Sequence, residues 1–432
     1  MPRELSAQQA AALVRPADSL GAGLGPAWPP ALMLALGERD DWRNLSVDGA
    51  LLTVGTGLFQ REGVRYKSGF LGPLERYLRD NGARIDFIPA DFRRFAPLIA
   101  GEAPRVMVTA AAPPDTDGWC SLSLHAGGTI AELQAAGADP DRLLIVETSP
   151  RFPRTFGLAP EFRHALHLDE IDVLVQTESE PTALPVAPPG DTDRAIAAHA
   201  DDYIPDGATL QTGIGSLPLA IAEHLATKPG GGYGIHTEMF NDGLMELHKA
   251  GKVSNQKGFR DGLSITTFAL GSRELYDWLH ENREVAFLPV EQVNDPHYIA
   301  RNRRVVTING ALSVDIHGQV VADTRDGRQF SGIGGAEDFV SGPAYAHDGH
   351  SLLCMHATAT VGERLVSRIV PQHPAGAVIT TPRHQIDIIV TEYGAVELEG
   401  MTVGERGVAL AEIAHPDFRE SIRTAAHDYD RR

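Results

Sequence analysis

Short apolar, β-branched runs alternate with amphipathic stretches along the whole chain, and this rhythm constrains the fold more than any other feature. Residues 51–54, 106–109, 143–147, 173–176, 377–380 and 386–391 read as buried strands. Segments 7–13, 29–36, 219–225 and 273–280 space their apolar positions as helices do. Strands that alternate with helices build mostly parallel sheets covered by helices. An α/β protein is therefore expected, and 432 residues suffice for two or three domains.

A proline-rich stretch divides the chain. Residues 179–193 hold four prolines and no helical period, so they read as an extended connection between 1–185 and 190–432. The two parts echo each other. Gly23 and Gly25 precede a helix-like run, as do Gly213 and Gly215, an offset of 190 (213 minus 23). Asp117-Gly and His317-Gly each turn into a strand, an offset of 200 (317 minus 117). Two matches at similar offsets favour duplication, with coincidence as the alternative. A duplicated α/β pair is expected to hold its active site in the cleft between the parts.

Charge and cysteine content narrow the function classes. The formal net charge of -19 argues against non-specific nucleic-acid binding and against an anionic membrane surface. It leaves room for an anionic small substrate in a local basic pocket. Cys120 and Cys354 form no C-x-x-C pair, which disfavours a disulfide framework and fits a reducing compartment. The start lacks an apolar signal region and no run approaches membrane-span length, so a soluble cytoplasmic protein is expected. The 44 glycines cluster after apolar runs, as in α/β proteins that build ligand loops there.

Glu238 stands out within Gly-Ile-His-Thr-Glu-Met-Phe-Asn-Asp-Gly (234–243), at the expected end of a short buried strand. A buried glutamate is costly unless it is hydrogen-bonded or functional. With a free pKa of about 4.3 it would be ionised at neutral pH and ready to act as a nucleophile. Its attack on a thioester gives a mixed anhydride. The freed thiolate then returns to the glutamyl carbonyl and forms a glutamyl thioester. Two glycine-rich loops, 211–218 and 331–335, would supply backbone N–H donors for the oxyanions, with Gly213, Gly215, Gly334 and Gly335 as candidates. The competing readings are a solvated strand-end glutamate and ordinary strand–helix turns.

Other chemistries fit less well. Residues 213–218 nearly match G-x-G-x-x-G, with Glu238 near the place of a ribose-binding acid, but Pro218 replaces the third glycine. His347, His350, Cys354 and His356 are crowded, yet their spacing matches no zinc pattern. They read better as a turn followed by a strand at 351–355, and no metal is expected. Lys257 and Arg260 are candidates for the nucleotide end of a CoA-like ligand, with solvated surface as the competing role.

Eight ordered motifs carry a family resemblance: 210–218, 234–243, Thr-Phe-Ala-Leu-Gly (267–271), Val-Asn-Asp-Pro (293–296), Ser-Gly-Ile-Gly-Gly (331–335), Thr-Pro-Arg (381–383), Thr-Glu-Tyr-Gly (391–394) and Ala-His-Pro-Asp-Phe-Arg-Glu (414–420). Residues 70–73 and 149–157 add looser matches. The chain resembles the acetyl-CoA hydrolase/transferase family, which includes 4-hydroxybutyrate and butyryl-CoA:acetate CoA-transferases.

The resemblance implies two similar α/β domains with the CoA thioester in the cleft between them. It implies that Glu238 becomes the glutamyl-CoA thioester. It also implies that Gly213, Ile214, Gly215 and Ser216, together with Gly334, Gly335 and Ala336, line the reacting carbonyl. Asn294 joins Lys257 and Arg260 as a candidate CoA contact. Such proteins usually carry Gln after the Gly-Gly pair, whereas here Ala336 and Glu337 precede Asp338. A backbone donor survives that change, a side-chain amide contact does not, and the Glu337 carboxylate would disfavour an anionic acceptor nearby. The expected partners are acyl-CoA and short-chain carboxylates, with coenzyme A as substrate and covalent intermediate and no tightly bound cofactor. A homodimer is expected from the resemblance. Transfer and hydrolysis both remain open, as does a non-enzymatic CoA- or sugar-phosphate-sensing module.

Overall fold

A computed structural model describes residues 1–125, 127–184, 187–346 and 348–431. Two sheets dominate it. The first runs from β1 (Arg3–Glu4) through β2 (Ala17–Leu24), β3 (Asn44–Ala50), β4 (Val64–Ser68), β5 (Ile85–Phe87), β6 (Val106–Ala111) and β7 (Leu143–Thr148) to β8 (Val173–Gln176). Its spatial order is β1-β8-β7-β6-β2-β3-β4-β5, and every pairing is parallel. All six residues of β6 and of β7 are buried, as expected of parallel strands covered on both faces.

The second sheet comprises β9 (Thr209–Thr212), β10 (Gly234–Ile235), β11 (Val305–Gly310), β12 (His350–Cys354), β13 (Ile388–Thr391) and β14 (Gly394–Glu397). Its order is β10-β9-β11-β12-β13-β14, and only the β13–β14 pairing is antiparallel. The run β8-β7-β6-β2-β3 in the first sheet corresponds to β13-β12-β11-β9-β10 in the second. β2 and β9, the strands that end at the two echoed glycine pairs, therefore hold equivalent places. Helix α1 (Pro30–Glu38) follows β2, and α2 (Ser216–Thr227) follows β9.

Several local expectations change. Residues 51–54 are not a strand: β3 ends at Ala50, and Leu51 turns to φ 45°. Residues 377–380 are also irregular, although the Thr380 and Thr381 N–H groups both donate to Val320 O. Apolar content alone mimics a strand at both places. The connection at 179–190 is irregular where described, and a helix begins at Asp191; Pro185 and Val186 lie outside the described residues. The two parts pack together directly. One core cluster joins Leu24, Phe92, Phe95 and Met107 to Met239, Phe268, Leu270 and Val290. Among the described residues, no helix is long and apolar enough to cross a membrane.

Candidate active site

Glu238 sits between two short strands rather than at the end of one: β10 stops at Ile235, and Met239–Phe240 forms a separate pairing with Phe268–Ala269. Its backbone is held tightly. The Glu238 carbonyl accepts from the N–H of Thr267 at 3.0 Å and of Phe268 at 3.2 Å, and from the Thr266 hydroxyl at 2.9 Å. Buried His236 ties the same segment to Val293 O at 2.8 Å, and burial lowers its pKa to about 3, so the ring is neutral. The Glu238 backbone is thus fixed on the side away from its carboxylate.

The carboxylate meets the loop 331–335. A Cβ on Gly335 would lie 1.9 Å from Glu238 Oε2, and one on Gly334 would lie 3.6 Å from Oε1. Only glycine permits the first approach. Gly334 adopts φ 56°, the left-handed region that favours glycine. Among the described residues, neither the Gly334 nor the Gly335 N–H has an intramolecular acceptor. Helix α4 (Ala336–Ala344) starts directly after Gly335, with Ala336 as its first residue.

The loop 213–216 reaches the site through the residues flanking Glu238. Asn241 Nδ2 donates to Gly213 O at 2.7 Å and to Thr212 Oγ1 at 2.9 Å, and Asn241 Oδ1 caps the helix α3 (Asp242–Lys249) by accepting from Leu244 N–H at 3.1 Å. The Thr237 hydroxyl donates to Thr212 O at 3.4 Å. Gly213 has open space where a Cβ would stand, and Ile214 is exposed. Ser216 opens α2. This loop is therefore tethered beside Glu238 rather than packed against its carboxylate.

Asn294 has a role that its sequence position did not reveal. It is fully buried, and its Nδ2 donates to Glu238 Oε2 at 2.6 Å and to Asp338 Oδ2 at 3.2 Å. One amide nitrogen spends both protons on two carboxylates. Asn294, expected as a CoA contact, here clamps the carboxylate itself. Asp338 in turn pairs with Arg93, whose ring-side neighbour Phe92 donates its N–H to Gly334 O at 2.8 Å. Residues from both parts of the chain thus converge on one carboxylate.

Glu238 keeps some solvent contact but is ringed by protein. Burial pushes its carboxyl up to about 7, against the opposing pull of Asn294. The expected full ionisation at neutral pH is thereby corrected, because the strand-end environment is drier than a free side chain's. Burial also pushes Asp338 up, against the pull of Arg93. Glu337 turns to the Thr381 hydroxyl and is pushed by burial up to about 7, so its negative charge is weakened at neutral pH. A nucleophilic Glu238 would have to attack as carboxylate, and kcat/KM should then rise about tenfold per pH unit on the acid side and level off above about 7. Replacing Asn294 by alanine removes the one hydrogen bond that lowers this pKa, and the acid limb should move to higher pH. A pH–rate profile checks this; an unmoved limb would show that Asn294 does not govern the ionisation of Glu238.

Lys257 and Arg260 do not face the cleft as free cations. Lys257 is fully buried and its Nζ donates to Phe259 O and Arg260 O, each at 2.8 Å. Burial lowers its pKa to about 7. Arg260 donates to Gln292 O at 3.3 Å and Gln292 Oε1 at 2.7 Å, with its guanidinium over the rings of Phe162 and Phe259. Both cations fasten the loop that follows Glu238, because a backbone folded back on itself needs its carbonyls satisfied. Of the imagined zinc group, His350 pairs with Asp387 at 3.2 Å, His356 pairs with Asp193 at 2.8 Å and Cys354 is buried in β12; His347 lies outside the described residues. Cys120 is likewise buried.

Comparison with known proteins places the chain among relatives. Residues 271–426 match the acetyl-CoA hydrolase/transferase C-terminal domain. The 4-hydroxybutyrate coenzyme A transferase of Clostridium kluyveri is 36% identical over 381 residues, covering 86% of this chain and 85% of that protein. The butyryl-CoA:acetate CoA-transferase of Anaerostipes caccae is 31% identical, covering 96% and 94%. The crystal structure of RipA from Yersinia pestis superposes with a TM-score of 0.89 at 32% identity, covering 99% and 98%. These likenesses overturn the dinucleotide-fold and binding-module readings. The chain is an enzyme of CoA transfer or hydrolysis, and it belongs to the acetyl-CoA hydrolase/transferase family.

Proposed function

We propose that this enzyme transfers coenzyme A from a short-chain acyl-CoA to a carboxylate acceptor, acetate or similar, by ping-pong exchange through a glutamyl-CoA thioester on Glu238. The observation that carries this reading is a carboxylate clamped by Asn294 at 2.6 Å and pressed against the Gly334–Gly335 backbone. Glu238 attacks the acyl carbonyl, the C–S bond breaks and CoA leaves as thiolate. The thiolate then attacks the glutamyl carbonyl of the mixed anhydride and expels the acyl group as a carboxylate. The acceptor carboxylate reverses these two steps on the enzyme thioester, so no bond energy is lost and no ATP is required. Gly334 and Gly335 have N–H groups without an intramolecular acceptor among the described residues, as the tetrahedral oxyanions need, and the loop from Gly213 to Ser216 is tethered beside Glu238 through Asn241.

Incubation with acetyl-CoA, digestion and mass measurement of the peptide holding Glu238 tests the reading. The expected result is a CoA mass on Glu238 that acetate, propionate or butyrate discharges and water discharges slowly. Rapid discharge by water alone would establish hydrolysis instead, and absence of the adduct would overturn the covalent mechanism. We extend to this chain the expectations of a homodimer and a cytoplasmic location; light scattering of the purified protein tests the first.

A further inference from the structure

The Asn294 amide has two ends that are nearly equal in size and opposite in chemistry. Its Nδ2 meets Glu238 Oε2 at 2.6 Å, while its buried Oδ1 has no hydrogen-bond partner among the described residues. No hydrogen bond on the Oδ1 side therefore holds the amide in place. A half-turn about its terminal bond would set Oδ1 against the Glu238 carboxylate instead. The orientation must be decided on the Nδ2 side, where the second acceptor is Asp338 Oδ2 at 3.2 Å.

The surroundings of Asp338 make it an acceptor only. It is fully buried in the first turn of α4, where a negative charge suits the helix N-terminus. Among the described residues, each hydrogen bond at its two oxygens is donated to them. Arg93 Nη1 donates to Oδ1, the Arg93 N–H donates to Oδ2 at 3.4 Å, and Asn294 Nδ2 donates to Oδ2. Neither oxygen faces the acceptor that a carboxyl proton would need. The charged groups that face Asp338 are Arg93, Asp91 and Glu238; Arg93 sustains its negative charge against burial and against the two acids. Arg93 is itself secured by Asp91 Oδ2 at 2.9 Å. It comes from the turn Phe92–Arg94 in the first part of the chain.

We propose that Asp338 is a positioning residue: held by Arg93, it keys the Asn294 amide so that Nδ2 and not Oδ1 faces Glu238. The inference rests on the proposed function, in which the CoA thiolate attacks the glutamyl carbonyl of the mixed anhydride. With Oε1 bridging to the acyl group, Oε2 is that carbonyl's oxygen. As the C–S bond forms, the carbonyl electron pair moves onto Oε2; its return expels the acyl carboxylate. Nδ2 is the donor placed to receive that charge. A reversed amide would set a lone pair against it.

Asp338→Asn tests this, because it keeps the shape and changes one acceptor into a donor. The Arg93 guanidinium claims the new amide oxygen, which leaves the new N–H group facing Asn294 Nδ2. Two donors repel, so Asn294 turns its Oδ1 to that side and to Glu238. On the pH plateau kcat/KM should fall about 10²–10³-fold, the scale of one lost oxyanion donor. In Asp338→Ala no donor replaces the carboxylate, Nδ2 keeps Glu238, and the fall should be about tenfold or less. The acid limb of the profile gives a second readout. Removing a negative charge near Glu238 favours its ionised form, so charge loss alone would move the limb to lower pH in both variants. A reversed amide favours the protonated carboxyl, so Asp338→Asn should move it to higher pH. Activity in Asp338→Asn at or above that of Asp338→Ala, with both limbs displaced to lower pH, would overturn the proposal.

A double-mutant cycle separates orientation from packing. In an Asn294→Ala background, Asp338→Asn should lower plateau kcat/KM by no more than about twofold further, since no amide remains to turn. A loss there as large as in the wild-type background would also overturn the proposal. Arg93 is one-third exposed, so Arg93→Ala extends the test if Asp338→Asn does not fold. It should displace the acid limb upward, and that displacement should vanish in the Asn294→Ala background. A CoA adduct on Glu238 in the wild type distinguishes this proposal from the mechanism. No adduct, with an upward displacement in Asp338→Asn, would sink the covalent route and keep the orienting role. A normal adduct with equal losses in the two Asp338 variants would sink the orienting role and keep the route.

Discussion

Glu238→Ala is expected to lower kcat by more than about 10⁴-fold, the scale seen when the nucleophile of a covalent enzyme is removed. The fold should survive the change. The carboxyl is held in a dry site that raises its pKa to about 7, so its burial costs stability rather than supplying it. Asn294 Nδ2 keeps Asp338 Oδ2 as a partner when Glu238 is gone. The melting temperature should therefore stay level or rise, as is common when a strained functional group is deleted. Kinetics and thermal unfolding of the purified variant check both parts. Turnover near the wild-type value would end the assignment of Glu238 as nucleophile.

Gly335→Ala should be the next most damaging change, lowering kcat/KM by about 10²–10³-fold, comparable to losing an oxyanion donor. The backbone at Gly335 has φ -94°, which alanine adopts without strain. The new methyl, however, would stand 1.9 Å from Glu238 Oε2 and 2.3 Å from Asn294 Nδ2, so the carboxylate must leave its place. Gly334→Ala makes the contrast. There the left-handed φ of 56° costs about 1–2 kcal/mol of stability, but the methyl would touch Glu238 Oε1 only at 3.6 Å. The two variants should thus separate, with activity falling most in Gly335→Ala and stability falling most in Gly334→Ala. Steady-state kinetics with melting curves test the order; equal catalytic losses would show that loop shape, not proximity to the carboxylate, matters.

Part of this site was legible in the chain. Glu238 drew notice as a lone carboxylate in an apolar run, and the glycine clusters at 213–215 and 334–335 announced backbone that must approach something closely. The buried strands β6, β7 and β8 were legible because a parallel strand covered on both faces is apolar at nearly every position. Residues 51–54 and 377–380 carry the same composition without a strand, because composition reports burial and not hydrogen-bond pairing.

The rest depended on contacts between distant residues. Asn294 lies 56 positions from Glu238, and Arg93 lies 245 positions from Asp338. No periodicity or local spacing links such pairs. The burial of Lys257 was hidden for a different reason: its partners, Phe259 O and Arg260 O, are near in sequence but are backbone carbonyls that any sequence provides.

The sequence by itself determined the α/β class, Glu238 as the candidate nucleophile and the two glycine loops, because each follows from short-range pattern: period, chain flexibility and a charge set among apolar neighbours. Only the tertiary structure decided how far burial raises the Glu238 carboxyl and which side chain clamps it. Those properties arise from dielectric, distance and what packs against what, quantities that exist only once the two sheets have met.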